Sequence, residues 1–242
     1  MSAIAFAQVV FAHPGGPPVL SGVDLDVEAG SVVALVGRSG AGKSTLLKLV
    51  NRLVVPDAGR VHVDGRDTRT WDPIALRRRT GYVLQDVGLF PHLTVAGNIT
   101  LLAHIERWPP ARIAERLAAL MTLVDLPPAL SDRWPDQLSG GQRQRVGVAR
   151  ALMLDPPILL MDEPFGALDP LTRLDLHRQF RQIQAAVRKT VLLVTHDLRE
   201  AQAMADRIGV LDEGRLAAIG TLEQLASSPH PFTRRLLDTL EG

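Results

Sequence analysis

One stretch of nine residues, 37–45, restricts what this chain can fold into more than any other part of it. It reads GRSGAGKST and fits the pattern G-x-x-x-x-G-K-[ST]. The glycines of this pattern allow the backbone to curl, so that successive N–H groups point inward and bind an anion. Lys43 would face the outer phosphates of a nucleotide, and the Ser44 hydroxyl would take one place around Mg²⁺. The predicted nucleoside triphosphate site comprises Gly37, Arg38, Ser39, Gly40, Ala41, Gly42, Lys43, Ser44 and Thr45.

The residues on either side of this loop supply the context that a phosphate-binding loop requires. The apolar run 32–36 predicts a buried strand that enters the loop. A helix should follow, because apolar residues recur at helical spacing at Leu46, Leu47, Val50, Leu53 and Val54. The dipole of that helix would add to the attraction for phosphate. A Gly-rich turn without function is the alternative, and this context disfavours it.

Length, composition and charge limit the classes of protein to which this chain can belong. A chain of 242 residues with 46% hydrophobic content can form one large domain or two closely connected lobes. The formal net charge of +1 provides no overall field that would attract nucleic acid. The sequence has no cysteine, which excludes disulfides and thiolate metal sites. It also has no apolar run of 18 residues and no leader pattern at its N-terminus, so we expect a protein that is soluble by itself.

The first third of the chain contains several strand patterns. Residues 2–12 are apolar and β-rich, and residues 19–27 alternate as a half-buried antiparallel strand does. Asp64-Gly65 predicts a hairpin turn, and residues 81–84 give another short strand. An antiparallel β piece should therefore pack beside the nucleotide-binding core.

The pattern becomes helical from about residue 86 to 154. Thr94 can cap a helix that carries Ile99, Leu102 and Ile105. Beyond this region, the continuous apolar runs 158–161 and 191–194 are typical of parallel strands covered on both faces. A long amphipathic helix over 171–189 would connect those two strands as a right-handed crossover. The chain is thus predicted to be an α/β protein.

Two adjacent carboxylates follow the first of these apolar runs. Asp162 and Glu163 would lie at the carboxyl end of a parallel strand, where ligands bind in such sheets. Asp162 is the natural partner of Mg²⁺, and Glu163 can polarise an attacking water. The alternative is an acidic turn after a core strand, which is less consistent with a phosphate-binding loop more than a hundred residues earlier.

The residues LSGGQ (138–142), shortly before ILLMDE (158–163), resemble those of the ATP-binding-cassette ATPases, and the resemblance extends over the whole chain. It implies a RecA-like parallel-sheet core with an antiparallel β subdomain and an inserted α-helical subdomain. The corresponding bounds are 1–85 and 155–220 for the core with its β subdomain, 86–154 for the helical subdomain and 221–242 for a short helical tail, within a single domain 1–242. The resemblance also implies that Gln85 senses Mg²⁺ and the γ-phosphate, and that His196 contacts the γ-phosphate.

The LSGGQ signature predicts a second anion site. Ser139, Gly140, Gly141 and Gln142 would supply a hydroxyl and backbone donors at the start of a helix. Two half-sites separated by a helical region are best completed between two chains, and the resemblance implies a head-to-tail homodimer around ATP. Within GALD (166–169), Asp169 would then cross to the partner subunit.

The histidines other than His196 give weaker signals. Relatives usually place an aromatic residue just before a short Gly-containing turn, where it stacks on adenine, and His13 occupies that place here. Phe11 is the alternative, although it fits a core position better. The remaining histidines are predicted to be at the surface or lightly packed: His62, His92, His104, His177 and His230.

The same resemblance suggests what ATP hydrolysis would drive. The segments GLFPHLTVAGNI, RVGVARAL and MDEPFGALDPLTR look most like those of importers for glycine betaine, choline and carnitine. The chain would act at the cytoplasmic face of the inner membrane with separate permease subunits and, indirectly, a solute-binding protein. Leu89–Val95 would contact the permease, or would instead pack the core of the helical region. Import of a polar amino acid or another solute stays open, as does the less favoured action on nucleic acid.

Overall fold

The computed structural model describes residues 2–166 and 168–241. Its strands are β1 (Ser2–Ala12), β2 (Pro18–Glu28), β3 (Val32–Gly37), β4 (Ala58–Val63), β5 (Arg66–Asp67), β6 (Thr80–Val83), β7 (Ile158–Asp162), β8 (Thr190–Thr195), β9 (Arg207–Asp212) and β10 (Arg215–Gly220). Its helices are α1 (Lys43–Val50), α2 (Pro73–Arg78), α3 (Val95–Ile105), α4 (Pro110–Leu123), α5 (Gly140–Ala151), α6 (Pro170–Val187), α7 (Leu198–Met204), α8 (Leu222–Ala226) and α9 (Pro231–Glu241). The outer ends of the predicted domain, Met1 and Gly242, lie outside the described residues.

The phosphate-binding loop leaves the centre of a six-stranded sheet. The strand order is β10-β9-β3-β8-β7-β6, and every neighbouring pair is parallel except β9 with β10. The continuous apolar runs of β3, β7 and β8 are buried, as their sequences predict. Because these strands are parallel, their carboxyl ends all meet at one edge of the sheet, and predicted site residues follow those ends.

Alternation along β3 divides the interior into two hydrophobic cores. Val32, Ala34 and Val36 belong to the core that continues into α3, α4, α5 and α6. Val33 and Leu35 belong to the other core, which lies under α1 and the second sheet. Successive side chains of a strand point to opposite faces, so a strand covered on both sides needs apolar residues at every position.

The second sheet has four antiparallel strands in the order β2-β1-β4-β5. The predicted hairpin turn joins β4 to β5, and both of its central residues have positive φ, 50° at Asp64 and 74° at Gly65. A two-residue hairpin turn with two positive φ angles matches the right-handed twist of the flanking strands. The prediction of an antiparallel β piece beside the core is confirmed.

The helices between residues 95 and 151 pack on the same core as the central sheet. Ile99 of α3, Leu120 of α4 and Val146 of α5 share one buried cluster with Val83 and Met161 of the sheet. The predicted cap is present, since the Thr94 hydroxyl accepts a hydrogen bond from the N–H of Gly97 at 3.1 Å. Whether 86–154 behaves as a separate subdomain stays a prediction.

Two of the sequence-based predictions were wrong, one on the length of helix α1 and one on the burial of His177. Helix α1 ends at Val50, and Arg52 then adopts φ 54°, so Leu53 is exposed and does not extend the helix. Helix α3 carries Ile99, Leu102 and Ile105 as predicted, and of these three residues Ile99 is buried and the other two are exposed. His177 was expected near the surface, but its residue is only 7% exposed because α7 packs over it.

Candidate active site

The curvature of the phosphate-binding loop depends on glycine at two of its positions. Gly40 has φ 79° and Gly42 has φ 97°, in the left-handed region that side chains disfavour. A Cβ atom on Gly42 would also lie 2.6 Å from Cδ2 of Leu20 and 3.0 Å from the carbonyl oxygen of Val19. Helix α1 starts at the next residue, so its free N–H groups face the loop. The predicted anion site therefore has the backbone shape it needs.

Lys43 is held over this loop by the loop itself. Its Nζ donates to the carbonyl oxygens of Gly37 at 2.8 Å and Arg38 at 2.9 Å, and the residue is buried. Burial lowers the pKa of this ammonium, while the charges of Glu163 and Asp162 oppose that shift. The cation is thus positioned close to both carboxylates.

The predicted metal-binding residues Ser44 and Asp162 are in direct contact. The Ser44 hydroxyl donates to Oδ1 of Asp162 at 2.8 Å, and the Tyr82 hydroxyl donates to the other oxygen, Oδ2, at 3.4 Å. Burial raises the pKa of Tyr82, and the charge of Asp162 adds to the increase, so its hydroxyl remains a donor. Tyr82 was missed by the sequence analysis, because only the structure shows that its strand pairs with β7.

These oxygens fit Mg²⁺, because Mg²⁺ takes hard oxygen ligands and usually needs only one or two from the protein. Across the residues that the structure describes, no group of three or more His, Cys, Asp or Glu side chains could hold a metal alone. A metal at this position would therefore depend on phosphate oxygens and water as well.

Glu163 and His196 form a pair at the same edge of the sheet. Nδ1 of His196 lies 3.0 Å from Oε2 of Glu163. The backbone of Glu163 is in the left-handed region at φ 43°, and its N–H donates to the carbonyl of Val194 at 2.8 Å. Strained backbone of this kind occurs at functional sites when the surroundings hold it in place. The neighbouring strands β7 and β8 thereby bring together two residues that are 33 positions apart.

Gln85 is exposed, two residues beyond the end of β6. Val83 pairs with Met161, so Gln85 and Glu163 each lie two residues past a paired position at the same sheet edge. No hydrogen bond of the Gln85 side chain is present within 2–166 and 168–241. The register is compatible with the predicted role, but no contact fixes the side chain.

The signature residues cap helix α5. The Ser139 hydroxyl accepts from the N–H of Gln142 at 3.2 Å, and the Gln142 side chain accepts from the N–H of Ser139 at 2.9 Å. Gly140 and Gly141 permit close packing against Leu168 and Thr172. A Cβ on Gly140 would lie 3.1 Å from Leu168, and one on Gly141 would lie 2.8 Å from Thr172. Their packing role was not part of the prediction.

Asp169 caps helix α6 in the same way. Its Oδ1 accepts from the N–H of Thr172 at 3.0 Å. Hydrogen bonding from the side chain of Thr172, and then from its backbone, lowers the pKa of the Asp169 carboxyl. Ala167, inside the predicted 166–169 segment, lies outside the described residues. In the part of the chain that the structure describes, no hydrogen bond or salt bridge joins the signature, 138–142, to the phosphate-binding loop, 37–45. The two predicted anion sites are therefore separate within one subunit.

His13 is exposed at the end of β1, whereas Phe11 is buried. Their rings meet edge to face, with centroids 5.2 Å apart. The adjacent Ala12 pairs with Pro18, and Leu20, two residues further along β2, packs against Gly42. Of the two candidates for stacking on adenine, His13 is the exposed one.

Comparison with known proteins identifies the family. Residues 20–166 match the family described as ABC transporter. The chain belongs to the ABC transporter family. Residues 20–166 include the phosphate-binding loop, the signature and the Asp162-Glu163 pair, so the match covers the motifs on which the resemblance was based.

Two curated relatives show how far this likeness extends. The chain is 45% identical over 222 residues to the glycine betaine/carnitine/choline transport ATP-binding protein OpuCA of Bacillus subtilis, covering 92% of this chain and 58% of that protein. It is 46% identical over 211 residues to the sulfate/thiosulfate import ATP-binding protein CysA of Thermosynechococcus vestitus, covering 87% and 62%. The chain thus spans less than two thirds of the length of each.

A solved structure shows the same fold. It is a dimeric ATP-binding cassette in a post-hydrolysis state bound to ADP and Pi, 31% identical, with a TM-score of 0.79 over 90% of this chain and 98% of that one. The α/β fold with a RecA-like core is therefore confirmed. Along 2–166 and 168–241, no helix is long and apolar enough to cross a membrane.

Proposed function

We propose that this chain is the ATP-hydrolysing, nucleotide-binding subunit of an importer. The observation that carries the proposal is the Glu163–His196 contact of 3.0 Å, at the edge of the sheet where the Ser44–Asp162 pair also lies. A carboxylate that can polarise water stands next to a histidine, and both adjoin a loop shaped for phosphates. This arrangement suits phosphoryl transfer to water, which depends on positioning and electrostatic stabilisation.

Each residue has a distinct task in this mechanism. The N–H groups of the loop and Lys43 bind the β- and γ-phosphates, and Ser44, Asp162 and Gln85 would hold Mg²⁺. Bound Mg²⁺ would neutralise charge that develops on the phosphate oxygens. Glu163 orients and polarises the attacking water. Nδ1 of His196 is engaged in the hydrogen bond with Glu163, so Nε2 is the ring nitrogen that would contact the γ-phosphate.

The test is Glu163→Gln, which keeps the size of the side chain and its hydrogen bonding but removes its charge. We expect ATP to bind, turnover to fall by roughly a hundredfold or more and an ATP-bound dimer to accumulate. Glu28→Gln, an exposed change at the end of β2, is the matched control and should hydrolyse ATP normally. Wild-type turnover by Glu163→Gln would contradict the assignment.

The complete site would require a second copy of the chain. The signature and the phosphate-binding loop are separate in one subunit, and the similar cassette bound to ADP and Pi is dimeric. A head-to-tail pair with twofold symmetry would let Ser139, Gly140, Gly141 and Gln142 of one copy close the ATP site of the other. Asp169 would reach the partner across the same interface.

An apolar groove between the sheet and α3 is the proposed contact for the permease. Four exposed apolar side chains line it: Leu84, Phe90, Leu102 and Ile105. Of the residues predicted for this role, Phe90 fits the groove, whereas Val95 is buried and Leu89 packs against the core. An amphipathic helix of a separate membrane subunit would cover this groove. The chain would then be peripheral, at the cytoplasmic face of the inner membrane.

Charged substitutions test this contact. Leu102→Asp and Ile105→Asp should leave the ATPase activity of the isolated protein nearly unchanged but abolish ATP-driven uptake in vesicles that contain the membrane subunits. Leu174→Asp, at an equally exposed apolar residue of α6, is the control and should retain uptake. Unimpaired uptake with both α3 variants would place the permease elsewhere.

We propose a quaternary-amine osmoprotectant as the solute, because the relative with 92% coverage of this chain transports glycine betaine, carnitine and choline. Sulfate or thiosulfate is the second candidate, since the identity to the CysA protein is equally high. A binding protein for a quaternary amine would hold its cation in an aromatic cage. Calorimetry on the partner solute-binding protein with glycine betaine, choline, carnitine, sulfate and a polar amino acid decides between them.

A further inference from the structure

A buried pair of titratable side chains lies behind the Glu163–His196 contact and has no part in the mechanism above. His177 of α6 is 7% exposed and Glu200 of α7 is 3% exposed. Nε2 of His177 is 3.9 Å from Oε1 of Glu200. Neither atom has a hydrogen-bond partner among the described residues. Buried polar atoms are seldom left unpaired, so two of them facing each other require an explanation.

Each member of the pair contacts a residue close in sequence to one of the two proposed catalytic residues, Glu163 and His196. The His177 ring packs edge to face on Phe165, two residues after Glu163, with centroids 5.3 Å apart. The other oxygen of Glu200, Oε2, accepts a hydrogen bond from the hydroxyl of Thr195, which precedes His196. The same hydroxyl accepts from the N–H of Asp197 at 3.1 Å. The pair therefore spans from the segment after β7 to the segment after β8.

Burial of the pair favours an uncharged state of both side chains. Burial raises the pKa of Glu200 to about 7. The hydrogen bond from Thr195 opposes this shift, Asp197 adds to it, and Arg173 and His196 oppose it. Burial lowers the pKa of His177, where Arg173 and Arg181 act in the same direction and Asp197 opposes them. Arg173 itself is 3.5 Å from Asp197. A protonated Glu200 beside a neutral His177 places no net charge in this interior.

We propose that His177 and Glu200 share one proton and act as a positioning pair for hydrolysis, clamping the Glu163–Phe165 turn to the Thr195–His196 segment. An approach of about 1 Å would turn their present separation into a hydrogen bond that satisfies both free atoms. This inference rests on the proposed function, because it assigns the pair to the reaction of Glu163 and His196. Neither residue touches the nucleotide in this scheme, so both act through others.

The central comparison is between two substitutions of Glu200. Glu200→Gln keeps an oxygen for Thr195 and offers an N–H to His177, so it should retain wild-type kcat within about twofold. Glu200→Leu removes both contacts, and displacement of the catalytic segments should lower kcat by roughly 10- to 100-fold with an unchanged ATP KM. Thr195→Val, which only removes the hydroxyl, provides the same test if the leucine variant does not fold. His177→Leu should resemble Glu200→Leu.

The Glu200→Leu substitution is also made in a His196→Ala protein, which distinguishes a positioning role from a general loss of structure. In His196→Ala, Glu200→Leu should cause little further loss of kcat, because residues that act as a unit are not additive. Stability gives an independent readout. Glu200 keeps its proton in the folded state up to about pH 7 and releases it earlier when unfolded, so its contribution to the free energy of unfolding should fall between pH 4.5 and about 7. The lowered pKa of His177 contributes with the opposite sign, so the comparison is between the wild type and Glu200→Gln. Glu200→Gln should remove the contribution of Glu200.

The results that overturn the proposal are distinct from those that overturn the proposed function. A folded Glu200→Leu protein that binds ATP stoichiometrically and hydrolyses it at the wild-type rate would overturn the pair alone. An equal loss of kcat in the wild-type and His196→Ala backgrounds would do the same. Absence of ATP hydrolysis by the wild-type dimer would overturn both.

Discussion

Ser44 and Asp162 are 118 positions apart in sequence, and the hydroxyl of the first donates a 2.8 Å hydrogen bond to the carboxylate of the second. The contact joins the first turn of α1 to the end of β7, two strands away from β3 in the sheet. It brings a hydroxyl and a carboxylate together beside Lys43. The two oxygens therefore lie side by side, as the proposed Mg²⁺ site requires.

Asp162→Asn should uncouple ATP binding from Mg²⁺. An amide oxygen can still accept from Ser44, but the negative charge that attracts the metal is gone. We expect the wild-type protein to bind ATP more tightly with Mg²⁺ than in EDTA, and the variant to bind equally in both conditions. Titration calorimetry measures this difference. A preserved Mg²⁺ effect in the variant would exclude Asp162 as a ligand.

Ser139→Arg and Lys43→Ala should fail at different steps if the ATP site is shared between two subunits. Lys43→Ala removes the cation over the loop and should abolish tight ATP binding. Ser139→Arg should bind ATP as a monomer but not dimerise, because the bulky cation would occupy the partner's phosphate site. Ser139→Ala loses the same helix cap without added bulk and is the control. Equal loss of ATP binding in both main variants would count against a shared site.

Two glycines of the phosphate-binding loop should differ in how strictly they are required. Both have positive φ, so alanine at either costs about 1–2 kcal/mol of conformational energy. Nothing lies within 4 Å of a Cβ at Gly40, whereas one at Gly42 meets Leu20 at 2.6 Å. Overpacking adds roughly 1–3 kcal/mol, so Gly42→Ala should lower the free energy of unfolding more than Gly40→Ala. Urea denaturation of the two variants would refute this if their midpoints agreed.

Gly97→Glu should stabilise helix α3. Gly97 is the third residue after the Thr94 cap, the position where glutamate completes a capping box. Replacing a helical glycine is worth about 1 kcal/mol, which corresponds to roughly 2–4 °C in Tm for a chain of this size. The Cβ would lie 3.3 Å from Leu93, so that side chain must yield slightly. Gly97→Ala separates the gain in helix propensity from the gain in capping, and a lower Tm for both would show that Leu93 does not yield.

The parts of the fold that follow from continuous or alternating patterns were predictable. The buried runs of β3, β7 and β8 and the loop at 37–45 have strong local signals, and the structure has them in the predicted places. Helix α6 shows where local pattern is insufficient. Leu171 and Leu174 look like core residues but are 76% and 53% exposed, while His177 between them and Phe180 is buried.

Which face of α6 is buried depends on a contact with a segment that is distant in sequence. His177 is buried because α7 packs there and contributes Glu200, and no periodicity within α6 contains that information. Tyr82 is similar, since its hydroxyl gains meaning only from Asp162 on the adjacent strand. The predicted ligand-binding motifs are contiguous in sequence, so they could be recognised from the sequence alone. Residues such as His177 and Tyr82 contact those motifs from other elements, and their roles depend on which elements pack together.

The position of β3 has a consequence for how the protein is made. Val33 pairs with Leu192 on one side and Arg207 on the other, so both neighbours of the central strand are synthesised far later than the strand itself. On the ribosome, the phosphate-binding loop would follow a strand with two open edges until β8, which ends at Thr195, has emerged. One edge would stay open until β9, which ends at Asp212, has emerged as well. Long-range parallel pairing of this kind is slow and exposes strand edges to aggregation. Nascent chains should therefore stay prone to aggregation until both β8 and β9 are available to pair with β3.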